Sequence, residues 1–143
     1  MNIDKIVKEC PDVIEELKSY MGFSFVGRST IDFEEDNIVF RGTNSACLIH
    51  YRDLFDYFDS VGINVGVMPL TDKWHWSISK KRFWRVTYLI GRPKGGFVWS
   101  RNPYEDKHGY KPDFKSRIEA EYKAFELAFE IRQQQIEGNS KDN

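Results

Sequence analysis
The sequence runs to 143 residues, 41% hydrophobic and 30% charged, with a formal net charge of −1. A chain this long buries about two thirds of its extended surface, so its core needs neither a metal nor a disulfide. The near-zero charge names no partner, and two cysteines, Cys10 and Cys47, form at most one bridge, which excludes a disulfide framework.

Aromatic residues make up 15% of the chain and carry much of its apolar area. Met1 to Cys10 has acids and no continuous apolar run, so it does not read as a signal peptide. Apolar runs elsewhere fall far short of the ~20 residues that span a bilayer, so no membrane partner is expected. Both cysteines sit in apolar periodicity, as buried free thiols do. The expected location is cytoplasmic.

In chain order, Asn2 caps a short helix carrying Ile3, Ile6, Val7 and Cys10. Pro11 suits a first helical turn, and Val13, Ile14, Leu17, Tyr20 and Met21 follow at helical spacing until Gly22. The segment is one helix kinked at Pro11 or two abutting helices. Phe23, Phe25, Ile31 and Phe33 alternate with polar residues, and Ile38-Val39-Phe40 follows an acidic turn at Glu34 to Asn37; this predicts a β-hairpin. Thr43 to Gly62 is expected as the second helix, capped by Thr43, Asn44 or Ser45, with Cys47, Tyr51, Leu54, Phe58 and Val61 as its stripe. Four strands are then expected: Ile63 to Met68, Trp74 to Ser79, Phe83 to Ile90 and Phe97 to Ser100. Pro69 to Lys73 and Asn102 to Asp113 read as loops. Ser116-Arg117-Ile118-Glu119 has the form of a capping box opening a helix to about Glu137. Its stripe is Ile118, Tyr122, Phe125, Phe129 and Ile136, widened by Ala120, Ala124, Leu127, Ala128 and Ile131.

This predicts an α+β fold in the order α-β-β-α-β-β-β-β-α, its sheet mainly antiparallel (hairpin plus meander), with helices packed on one face. Residues 1–137 are expected as a single domain and residues 138–143 as a disordered tail.

Charge is strongly segregated. Between Asp72 and Glu105 there is no acidic residue, while Lys73, Lys80, Lys81, Arg82, Arg85, Arg92, Lys94 and Arg101 fall there. Taking these 8 from 21 basic residues leaves 13 against 22 acidic ones elsewhere. Such asymmetry marks anion-binding faces. Trp74, Trp76, Phe83, Trp84, Tyr88, Phe97, Trp99 and Tyr104 are interleaved with the cations, a combination that holds single-stranded nucleic acid. The competing reading makes the rings core and the cations a solvated face. Alternation then turns Trp84, Val86 and Tyr88 toward the helices and Arg85 and Thr87 away. Gly91 to Gly96 reads as a hairpin loop between strands, where a phosphate-binding loop would open a helix.

Catalytic signals are lacking. His50, His75 and His108 have no metal-ligand spacing, no nucleophile motif surrounds any serine, and Asp53, Asp56 and Asp59 fall beside or opposite the apolar stripe of the expected helix. No cofactor or metal is expected.

The string Trp74-His75-Trp76-Ser77-Ile78, a basic strand, and Phe114-Lys115-Ser116-Arg117-Ile118-Glu119-Ala120-Glu121 opening a helix with Ala124-Phe125 and Ala128-Phe129 resemble a pattern in small proteins of phages and mobile elements of gut bacteria. The similarity covers roughly residues 47–136. Most of those proteins lack assigned activities, so the resemblance implies a context and no mechanism. The functional expectation is a non-enzymatic binding module. Lys80, Lys81, Arg82, Arg85, Arg92 and Lys94 would contact an anionic partner such as nucleic acid. The alternative is an interaction or inhibitor module that meets a host protein through Asp32, Glu34, Glu35, Asp36, Asp53, Asp56 and Asp59. A small enzyme is the third reading.

Overall fold
Pro11 decides how the N-terminal apolar run is divided. In the computed structural model, which describes residues 1–23, 29–71, 82–91, 97–99, 113–114 and 116–141, helix α1 spans Ile3–Glu9 and α2 spans Pro11–Met21. The proline takes the first helical position, where its missing N–H costs nothing. Asn2 Oδ1 accepts from the Lys5 N–H at 3.2 Å and caps α1. Gly22, at φ +73°, closes α2 in the left-handed region. The described elements are helices with antiparallel sheets, an α+β fold.

The chain divides into two units, Met1–Tyr57 with Ala128–Asn143, and Phe58–Leu127. In the first, β1 (Thr30–Glu34), β2 (Asn37–Arg41) and β3 (Ala46–His50) form an antiparallel sheet in that order. Glu35 and Asp36 turn the first hairpin with φ of 49° and 65°. Positive φ at both central residues is the geometry that matches strand twist in a two-residue loop. Ile38, Val39 and Phe40 are all buried, so the central strand is covered on both faces. The core of this unit gathers Ile6, Val13, Leu17, Phe40, Tyr57 and Phe129.

Strand β3 corrects the sequence reading, which put the second helix at Thr43 to Gly62. The helix α3 covers only Leu54–Ser60, after a 3₁₀ turn at Tyr51–Asp53. Thr43, Asn44 and Ser45 do not cap it; they belong to the β2–β3 connection, closed by Gly42 N–H donating to Ser45 O at 2.8 Å. His50 Nδ1 caps the 3₁₀ turn by accepting from the Arg52 N–H. Ala46 to His50 satisfies two periods at once. Its residues extend a helical stripe, yet Cys47 and Ile49 also alternate with Ala46, Leu48 and His50, and pairing with β2 selects the alternation.

In the second unit β4 (Ile63–Thr71), β5 (Arg82–Gly91) and β6 (Phe97–Trp99) lie in that order, and the short β7 (Asp113–Phe114) also pairs with β5. Strand β4 passes through Pro69, which was expected in a loop. Among the described residues β4 ends the order β4-β5-β6, and an end strand tolerates a residue without an N–H. Gly62, at φ +81°, ends α3 as expected. The expected strand Trp74 to Ser79 and the turn at residues 92–96 lie outside the described residues. Phe58 stacks on Phe125 with ring centres 6.1 Å apart. Val65 and Val67 pack against Ala120, Ala124 and Leu127 of helix α4 (Arg117–Lys141), so the helix meets that face of β4.

Ser116 Oγ accepts from the Glu119 N–H at 3.2 Å and caps α4. The helix runs to Lys141, past its expected end near Glu137 and into the tail expected to be disordered. Gly138 lacks the positive φ of a helix stop, and one interior glycine costs a helix only about 1 kcal/mol. Ile118, expected at the head of the stripe, is exposed, whereas Glu121 is fully buried.

Candidate functional site
Of the six basic positions singled out by charge, Arg82 and Arg85 are placed by the fold. Lys80, Lys81, Arg92 and Lys94 lie outside the described residues. β5 pairs with β4 in unbroken antiparallel register from Ile63↔Ile90 to Thr71↔Arg82. Successive positions of such a strand alternate between faces. Val65 and Val67, which meet α4, stand opposite Tyr88 and Val86, so Trp84, Val86 and Tyr88 share the register parity of the β4 positions that meet α4. Arg82 shares their parity. Arg85 takes the other face with Phe83, Thr87 and Leu89. The two arginines therefore belong to opposite faces, a separation that charge counting does not reveal.

Cross-strand neighbours refine this. Arg85 stands directly across from Met68 on one side and Asp113 on the other. Leu89 stands across from Trp99, and Gly91 from Phe97. The face opposite α4 thus combines a cationic position, the ring positions Phe83, Phe97 and Trp99, and one acidic position beside Arg85.

The acidic residues are distributed differently. Asp32 and Glu34 flank Arg41, at 3.7 Å and 2.9 Å, so part of the hairpin's negative charge is neutralised. Glu35 and Asp36 form the turn itself. Asp53 and Asp56 are exposed in the first unit, and Asp59 belongs to the second.

A polar cluster of the first unit escaped the sequence reading. Arg132 on α4 holds the Glu16 carboxylate with Nε on Oε1 and Nη2 on Oε2, each at 2.8 Å. Tyr57 donates to Glu16 Oε1 at 2.8 Å. The Arg132 hydrogen bonds hold the Glu16 carboxyl below its ordinary range, against the opposing effect of burial. Burial first, then the bond to Glu16, pushes the Tyr57 hydroxyl up. Glu16 raises the Arg132 guanidinium further. A carboxylate so engaged is a poor proton acceptor, so the cluster is a clasp rather than an acid–base site.

Beside it, Gln133 Oε1 accepts from the Asp12 and Val13 N–H groups at 3.2 and 3.4 Å, while its Nε2 donates to Asp12 Oδ2 at 2.8 Å. Cys10, the N-cap of α2, offers no side-chain cap, and Gln133 supplies it from 120 residues away. In the second unit the buried Glu121 carboxylate accepts from Arg117 Nε at 2.7 Å. Sequence offered one signal for Glu121, its place between Ala120 and Ala124 on the face that packs. Among the described residues no group of three His, Cys, Asp or Glu side chains could hold a metal ion, and no helix is long and apolar enough to cross a membrane.

The chain matches no family model, no curated protein and no solved structure.

Proposed function
We propose that the protein is a cytoplasmic, non-enzymatic binding module of a phage or mobile element, and that its β region contacts single-stranded nucleic acid. The carrying observation is the charge segregation: eight cations and no acid between Asp72 and Glu105, in a chain otherwise rich in acids. The phosphate backbone rewards such a segment sequence-independently, because each neutralised phosphate releases counterions. Support also comes from the register. Lys80, Lys81 and Arg82 precede or open β5, and Arg92 and Lys94 follow its end. A ten-residue strand spans about 30 Å, which suits an elongated anion better than a compact one. Phe83, Phe97 and Trp99 share a face with Arg85 and offer stacking positions for bases. The acidic alternative has less support, since Arg41 engages Asp32 and Glu34.

The test is binding of labelled single- and double-stranded oligonucleotides at low and moderate salt. Single strands are expected to bind more tightly, with affinity falling steeply as salt rises. Replacing Lys80, Lys81, Arg92 and Lys94 together by Glu is expected to abolish binding. Arg85→Ala is expected to cost little, because Asp113 stands beside it. Absence of binding at low salt overturns the proposal.

A further inference from the structure
The outer side of β3 is exposed along the strand. Among the described residues β3 ends the order β1-β2-β3. Tyr51 N–H donates to Asp36 O at 2.9 Å and Gly42 N–H to Ser45 O at 2.8 Å, bracketing the β2–β3 ladder. Hydrogen-bonded pairs alternate in an antiparallel ladder, so Ile38–Ile49 and Phe40–Cys47 are the bonded pairs between those brackets. The backbone N–H and C=O groups of Ala46, Leu48 and His50 therefore turn outward. All three residues are exposed, Leu48 by 61%. Protein edges are ordinarily protected by charge, proline or a bulge. Ala46-Cys47-Leu48-Ile49-His50 has no lysine, proline or carboxylate, and its register with β2 is unbroken.

We infer that β3 pairs antiparallel with β3 of a second copy of this chain about a two-fold axis at Leu48, joining two three-stranded sheets into one. The occupant is fixed by self-complementarity. In this register Leu48 meets Leu48 of the partner subunit, and Ala46 meets His50 of the partner subunit, so exposed leucines cover each other. Each of the three bonded pairs exchanges both backbone bonds, on the order of six in all. Tyr51–Asp53 turns into a 3₁₀ helix, so the pairing ends at His50. Ala46 to His50 carries no lysine, arginine or carboxylate, so no like charges meet along it. The interface is isologous, as a two-fold requires.

Sedimentation velocity across the micromolar range tests this with the full chain. A concentration-dependent dimer is expected, and Leu48→Lys, which sets two cations face to face, is expected to leave a monomer with unchanged circular dichroism and melting temperature. A short bis-thiol cross-linker gives an independent reading in a Cys47→Ser background. Leu48→Cys is expected to link to itself far faster than Ala46→Cys, whose copies stand about 14 Å apart in this register. A monomer at every concentration overturns the inference, as does a dimer indifferent to Leu48→Lys. Equal cross-linking rates also overturn it, and so does a monomer that takes up an extended segment of another protein at this edge.

Discussion
Arg132 and Glu16, 116 residues apart, meet in a two-pronged ion pair with both N···O distances at 2.8 Å. Glu16 lies on α2 and Arg132 on α4, so the pair fastens the C-terminal helix to the N-terminal one. The side chains are 32% and 18% exposed, which places the pair between a surface bridge and a buried one. Truncating either partner leaves a half-buried charge, and truncating Glu16 also breaks the Tyr57 hydrogen bond. Glu16→Ala or Arg132→Met is expected to cost about 2 kcal/mol in urea unfolding. Folding holds Glu16 below its ordinary value of 4.5, so the clasp contributes fully above that pH and is lost as pH falls through the lower folded value. The parent is expected to lose stability below pH 4.5 more steeply than Glu16→Gln; equal slopes would show that the pair does no work.

Gln133 acts on the same helix by another route. The first N–H groups of α2 lack an intrahelical acceptor, and Cys10 at the N-cap does not supply one. Gln133 Oε1 does, and its amide nitrogen secures Asp12 and Glu137. Gln133→Ala is expected to cost about 1 kcal/mol, as for loss of an N-cap. Gln133→Glu keeps the acceptor but sets a third carboxylate beside Asp12 and Glu137, and is expected to cost at least as much. Stability of the Glu variant equal to that of the parent would show that the donor side is irrelevant.

Local chemistry made some of this legible. Asn2, Pro11, Gly22 and Ser116 mark helix ends because each satisfies or removes a single backbone group, and the structure uses all four that way. Ala46 to His50 was misread because five residues fit both periods, and only a neighbouring strand decides between them. Gln133 was invisible for a related reason. A polar residue in a wide helical face declares itself only through its partner, and the N–H groups that Gln133 caps lie 121 and 120 residues away. For the candidate site, charge segregation could be read directly. The assignment of Arg82 and Arg85 to opposite faces needed the register of β4 and β5.

The β1–β2 turn carries correctable strain. Glu35 and Asp36 both hold positive φ, a region in which Glu has no local advantage and Asn-Gly is favoured. Asn37 Nδ2 donates to Glu35 O at 2.9 Å, and Tyr51 N–H donates to Asp36 O, so the backbone carbonyls of both turn residues are engaged. Replacing Glu35-Asp36 by Asn-Gly keeps those carbonyls and is expected to stabilise the protein by about 0.5–1 kcal/mol. A melting temperature lower than the parent's would mean that the two side chains make contacts of greater worth than the strain.

The two thiols are expected to differ sharply in reactivity. Cys10 is buried where α1 meets α2, and burial, reinforced by Glu130, Glu9 and Glu137, pushes its thiol up to about 11. The thiolate is the nucleophile, so both protection and protonation slow attack. Cys47 is half-buried on β3. At pH 8 an alkylating reagent is expected to modify Cys47 first, and Cys10 only at the rate at which the helix pair opens, which urea accelerates. Because folding raises the Cys10 value, its contribution is complete below the ordinary 9.0 and is lost as pH climbs toward 11. Cys10→Ala is expected to flatten that alkaline loss while leaving a small cavity below it. Equal labelling of both cysteines at pH 8 without denaturant would place Cys10 at an accessible surface and sink the prediction.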